Sequence, residues 1–112
     1  MNDQKKLTVG IVIYSNEPET VWNALRLANF SLAKGDSVKV FLLGRGVEVE
    51  SLDTAQFRIA AEIEKFVKTG GSVLACGTCL KLRQKEGTEM CPVSTMADLY
   101  TLIAESDRLL TF

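Results

Sequence analysis

Two cysteines, Cys76 and Cys79, lie three positions apart directly after an apolar segment. A cysteine thiolate is a nucleophile, and two thiols at this spacing can also form a disulfide couple. Gly77 allows a sharp exit from a strand, so a helix starting near Thr78 would direct its free N–H groups towards the Cys76 sulfur. We therefore expect a reactive thiolate at position 76.

Basic side chains follow this cysteine pair. Lys81 and Arg83 lie on the same short predicted helix, with Arg83 one turn beyond Cys79, and nearby positive charge stabilises a sulfur anion. The alternative is that Cys76 is a buried small apolar residue, as free cysteines often are. A thioredoxin-like redox site is the usual interpretation of the Cys-x-x-Cys spacing, but here the motif follows the third strand and opens only a short helix.

The composition narrows the chemistry further. The chain contains no histidine, which excludes histidine acid/base catalysis and histidine metal ligation. Cys91 is the third cysteine and could join the pair as a metal ligand, yet three thiolates are one short of the usual closed zinc site. We expect no metal and no cofactor, with Cys91 either lining the same pocket or buried for structural reasons.

The overall composition is that of one soluble domain over residues 1–112, with 46% hydrophobic and 24% charged residues. A net charge of -1 gives no surplus of basic residues for binding nucleic acid. No segment approaches the roughly 20 apolar residues that span a bilayer, so we expect no membrane partner. The odd number of cysteines indicates reduced thiols and a cytoplasmic location.

Strand and helix patterns alternate along the chain, which predicts a three-layer α/β/α sandwich with a mainly parallel sheet of about five strands. The strand order is not readable from this pattern. The predicted elements are strands over 7–14, 37–43, 72–76 and 109–112, an extended piece near 90–91, and helices from the 16–19 cap to 34, from a cap at Ser51 or Asp53 to 70, over about 78–85 and over 95–105.

Two further loops are expected at the carboxyl edge of this sheet, where ligands of parallel α/β folds bind. Ser15 and Asn16 follow the first strand, and Gly44 and Gly46 follow the second. These residues could line a pocket with Cys76, and the glycines could expose amides to an anion. The alternatives are helix capping for the polar pair and a plain turn for the glycines.

The order of the motifs resembles that of the DsrE/DsrF-like family of small sulfur-relay proteins. An opening strand precedes WNALRLA at 22–28, GDSVKVFLLG at 35–44 and Gly46-Val47. Cys76 then ends the third strand, and Arg83 follows seven positions later. The resemblance extends over nearly the whole chain.

This resemblance implies a three-layer fold, assembly into homo- or hetero-oligomers, and sulfur donor and acceptor proteins as partners. For this chain we expect a homo-oligomer such as a trimer or hexamer. It also implies that Cys76 accepts sulfane sulfur as a persulfide. Cys79 and Cys91 depart from the family pattern, and Cys79 could attack the Cys76 persulfide and release sulfide. A dithiol redox protein and a non-enzymatic oligomeric or metal-binding module stay open as alternatives.

Overall fold

The computed structural model describes residues 5–112, so the first four residues of the predicted single domain lie outside the described part. Five strands and four α-helices alternate along it, with one 3-10 helix after the second strand. The elements are β1 (Thr8–Ile13), α1 (Pro18–Ala33), β2 (Ser37–Leu42), the 3-10 helix (Gly44–Ser51), α2 (Ile59–Lys68), β3 (Ser72–Cys76), α3 (Gly77–Leu82), β4 (Val93–Ser94), α4 (Met96–Glu105) and β5 (Arg108–Thr111).

The strands form one sheet in the order β4-β3-β2-β1-β5, and every pair is parallel. From β1 to β4 the chain always steps in the same direction, so right-handed crossovers put α1, α2 and α3 on one face. The return to β5 puts α4 on the other face, where a Cβ on Gly10 of β1 would lie 2.5 Å from Leu102 of α4. The predicted three-layer sandwich and five-stranded sheet are confirmed.

The core lies around the three central strands. Fully buried side chains such as Ile11, Val40 and Val73 come from β1, β2 and β3, because strands covered on both faces must be apolar throughout. Helices α1 and α2 cover them with residues such as Leu25 and Ile63. No helix among residues 5–112 is long and apolar enough to cross a membrane.

Two predicted boundaries between β2 and α2 are wrong. The segment 44–46, expected to be a loop or a plain turn, opens the 3-10 helix, which buries Val47 and Val49. Ser51 is the last residue of that helix and caps nothing after it. Helix α2 begins only at Ile59, and the Asp53 carboxylate accepts a hydrogen bond from the Ala60 N–H at 2.9 Å across the intervening loop.

Two boundaries after β3 also differ. Helix α3 ends at Leu82, short of the predicted 85, because Gln84 has a φ of 54° and leaves the helical conformation. The extended piece predicted near 90–91 lies at Val93–Ser94 instead. Cys91 is held in the preceding loop, where its N–H donates to the Thr88 hydroxyl at 3.0 Å and its carbonyl accepts from the Thr88 N–H.

Candidate functional site

Cys76 ends β3 and is the N-cap residue of α3, with 3% of its surface exposed. It pairs with Ser94 of β4 in the register of the sheet. Gly77 makes this junction: a Cβ there would lie 3.0 Å from a Val93 methyl group and 3.2 Å from the Ser94 carbonyl oxygen. Cys76 thus lies at the carboxyl edge of the sheet, as predicted, but its side chain is buried.

Cys79 lies one turn into α3 and is half-buried. Its sulfur accepts a hydrogen bond from the Gly44 N–H at 3.2 Å, and Cys76 lies one turn before it along the chain. Burial, together with the Cys76 thiol, raises the pKa of Cys79, while the Gly44 amide and the Arg83 charge act in the opposite direction. At neutral pH Cys79 is thus a protonated thiol held against Cys76.

The Arg83 guanidinium is bound to a carboxylate and to a backbone carbonyl, not to the thiols. Its Nε donates to a Glu48 carboxylate oxygen at 2.7 Å, and its Nη1 donates to the Cys79 carbonyl at 3.1 Å. Asn16 donates to the other Glu48 oxygen at 3.1 Å. The Arg83 hydrogen bond, and then that of Asn16, hold the pKa of Glu48 below its ordinary value, so Arg83 is half of an ion pair.

Sequence reasoning missed Glu48. The signal that could have found it is a carboxylate in a loop at the sheet edge that carries the thiols, opposite a helix with basic residues. Its neighbour Gly46 is needed for packing, because a Cβ there would overlap the Ile13 carbonyl oxygen. Gly46 therefore lets the loop lie against the end of β1, which sets the position of Gly44.

The side chains of Ser15, Thr78 and Lys81 lie in other surroundings than the thiols. The Ser15 hydroxyl accepts a hydrogen bond from the Glu17 N–H at 3.0 Å, and Glu17 caps α1. Thr78 and Lys81 are exposed and line a separate cavity of about 710 Å³ between α3 and the start of α4. The predicted helix cap at Ser15 and Asn16 is wrong: Glu17 is the N-cap residue of α1, and Asn16 binds Glu48 instead.

Cys91 lines a different cavity, of about 280 Å³, together with Ala75, Leu80 and Glu50. Burial, the charge of Glu50 and a hydrogen bond to that carboxylate raise the pKa of Cys91 to about 12. Among residues 5–112, no group of three cysteine or carboxylate side chains is placed to hold a metal ion. Cys91 is thus separate from the Cys76–Cys79 pair.

The Cys91 environment makes a direct prediction. With a pKa of about 12, only about one thiol in ten thousand is ionised at pH 8. We expect iodoacetamide to alkylate Cys91 at least about a hundredfold more slowly in the folded protein than in urea. Peptide mapping by mass spectrometry measures this, and rapid alkylation of Cys91 in the folded protein would contradict the burial described.

The comparisons with known proteins agree with this architecture. The sequence matches the DsrE/DsrF-like family over residues 8–112. The chain belongs to that family, which is of the sulfur-relay type and whose members work in sulfur-relay complexes. The resemblance predicted from the motif order is confirmed.

Two curated relatives have similar length. An uncharacterized protein of Methanocaldococcus jannaschii is 32% identical over 113 residues, covering 96% of this chain and 99% of that protein. An uncharacterized protein of Methanopyrus kandleri is 30% identical over 121 residues, covering 100% of both chains.

The crystal structure of the ychN protein from E. coli superposes with a TM-score of 0.83 at 21% identity, covering 94% of this chain and 98% of that one. This last likeness shows the fold.

Proposed function

We propose that this protein is a sulfur carrier that accepts sulfane sulfur as a persulfide on Cys76 and passes it to a partner protein. The observation that carries the proposal is the position of Cys76, which ends β3 at the carboxyl edge of the sheet and is the N-cap residue of α3. Membership of a sulfur-relay family supports the same reading.

The proposed chemistry is two thiol exchanges. The Cys76 thiolate attacks the terminal sulfur of a donor persulfide, the Cys76–S bond to that sulfur forms, and the donor leaves as a thiolate. An acceptor thiolate then attacks the outer sulfur of the Cys76 persulfide, which regenerates the Cys76 thiolate. Because each step exchanges one thiolate for another, no external oxidant or reductant is consumed.

Several neighbours suit this role. The Cys76 thiol makes no hydrogen bond to the first turn of α3, so the N–H groups of Gly77 and Thr78 stay available to the outer sulfur of a persulfide. Arg83 supplies positive charge from its place on the Cys79 carbonyl. The burial of Cys76 keeps water from the bound sulfur.

The proposed partners are a donor protein, an acceptor protein and further copies of this chain, all in the cytoplasm. Helix α4 supports association because Met96, Tyr100 and Ile103 recur at helical spacing and are 61%, 72% and 45% exposed. An exposed apolar stripe of this kind is typical of a surface covered in an assembly.

A second candidate function, a dithiol redox couple, is favoured by the proximity of the two thiols. The Cys76 thiol is near enough to raise the pKa of Cys79, and two neighbouring thiols can close to a disulfide when an oxidant removes two electrons and two protons. In that function both cysteines are required equally, whereas a carrier requires Cys76 alone.

Sulfur loading separates the two functions. The reduced protein is incubated with a sulfane-sulfur donor such as a glutathione persulfide, and its intact mass is measured with and without dithiothreitol. We expect a reductant-labile gain of one sulfur atom in the wild type and in Cys79→Ser, and none in Cys76→Ser. A loss of two hydrogens in the wild type, together with no sulfur gain in Cys79→Ser, would instead establish the redox couple. Loading that survives Cys76→Ser would refute Cys76 as the carrier.

A further inference from the structure

The Glu48 carboxylate connects three segments at the thiol edge of the sheet. Asn16 follows β1, Glu48 lies in the 3-10 helix after β2, and Arg83 is the C-cap residue of α3. Both carboxylate oxygens are used, one by Asn16 at 3.1 Å and the other by Arg83 at 2.7 Å. The ion pair is partly shielded, with 27% of each charged side chain exposed.

Arg83 also reaches the cysteine motif itself. Its Nη1 donates to the Cys79 carbonyl, so the guanidinium is held across the end of α3 between Glu48 and Cys79. A cation in that position favours a sulfur anion on Cys79, and a carboxylate bound to the same guanidinium weakens that effect. Glu48 therefore acts on Cys79 through Arg83.

We propose that Glu48 is a positioning residue for the Cys79 thiol, because it clamps Arg83 onto the Cys79 carbonyl and withholds part of the guanidinium charge from the Cys79 sulfur. The inference rests on the proposed function, in which Cys79 lies beside a persulfide on Cys76. The smaller the ionised fraction of Cys79, the more slowly it attacks this persulfide, and the longer the sulfur remains available to an acceptor.

The charged and titratable groups around Cys79 come from three elements. Cys76 faces it from β3, Arg83 from its own helix, and Glu48 from the 3-10 helix through Arg83. Lys85 acts on the Glu48 carboxylate from beyond α3. Glu48→Gln removes one of these charges and keeps the size of the side chain, so it tests the charge with little change in packing.

The experiment measures how fast iodoacetamide alkylates Cys79 at pH 7.5 in a Cys76→Ser/Cys91→Ser background, where Cys79 is the single thiol. We expect Glu48→Gln to raise the rate about threefold, because the Arg83 charge is no longer neutralised. Arg83→Gln should lower the rate, and Glu48→Gln should have no effect once Arg83 is absent, which is the signature of action through that residue. Lys81→Gln, a matched charge removal facing the other cavity, should leave the rate unchanged.

Two results would overturn the positioning role of Glu48. If Glu48→Gln lowers the melting temperature but leaves the alkylation rate unchanged, Glu48 is structural. If it changes the rate equally without Arg83, Glu48 acts on Cys79 directly, and either result overturns the inference. Peptide mapping of Cys79 in the chain with all three cysteines repeats the comparison should the background variant unfold. Because this assay involves no sulfur donor, its result is independent of whether Cys76 accepts sulfur, which the loading experiment decides.

Discussion

Replacing Cys79 with serine is expected to lengthen the lifetime of a persulfide on Cys76 by at least about tenfold, because the nearest competing nucleophile is removed. In the wild type the Cys79 thiolate can attack the Cys76 sulfur of the persulfide. The Cys76–Cys79 disulfide then forms, hydrosulfide leaves, and the sulfane sulfur is reduced at the expense of the two thiols. The measurement is free sulfide released from preloaded, desalted protein over time.

The pH dependence of this release follows from the direction of the Cys79 pKa. Burial and the Cys76 thiol raise the pKa of Cys79 above its ordinary value of 9.0. The reactive thiolate is therefore the minor form throughout pH 7 to 8.5, and its fraction grows about tenfold with each pH unit. We expect the wild-type release rate to rise with pH to that extent, and the rate in Cys79→Ser to stay low.

Cys91→Ser is the matched control for this prediction. Its thiol lies in the separate cavity with Glu50 and stays protonated, so removing it should leave sulfide release at the wild-type rate. Equal release from Cys79→Ser and wild type would show that Cys79 does not resolve the persulfide. Faster release from Cys79→Ser would show that its side chain shields the sulfur from water instead.

Sequence patterns predicted the layers and the position of the cysteine pair because both depend on local features. Continuous apolar runs such as 7–14 predict buried strands, and the Cys76-Gly77 junction predicts a strand that turns directly into a helix. The strand order could not be predicted, because it depends on which strands pair across the sheet and not on any local pattern. The order β4-β3-β2-β1-β5 places β1 next to both β2 and the last strand.

The contacts of the site depend on long-range packing for the same reason. Gly44 and Cys79 are thirty-five residues apart, and so are Glu48 and Arg83. The basic residues of the 81–85 segment look equivalent in sequence, yet Arg83 reaches Glu48 while Lys81 faces another cavity. Arg83 differs from Lys81 because the 3-10 helix carries Glu48 to it. The sequence of that helix, a mixture of glycines, valines and glutamates, has no pattern that predicts a 3-10 helix.

Gly46 lets the 3-10 helix pack closely against the end of β1, and this packing sets the position of the Gly44 amide. Gly46 donates its N–H to the Leu43 carbonyl, and Leu43 donates to the Ile13 carbonyl, both at 2.9 Å. A Cβ at position 46 would overlap the same Ile13 oxygen, so the loop and the end of β1 must separate to admit it. We expect Gly46→Ala to lower the free energy of unfolding by about 3 kcal/mol, measured by urea denaturation.

Gly44→Ala is the informative comparison for Gly46→Ala. Gly44 has a left-handed φ of 56° but nothing within 4 Å of an added Cβ, so alanine there should cost only about 1 kcal/mol of backbone strain. It also keeps the N–H that contacts Cys79, so sulfur loading should remain. Gly46→Ala displaces that amide along with the loop, and the Cys79 sulfur loses its hydrogen-bond donor. Equal destabilisation by the two substitutions would mean that the loop moves away from β1 at little cost. The contact between Gly46 and Ile13 would then not fix the position of the Gly44 amide.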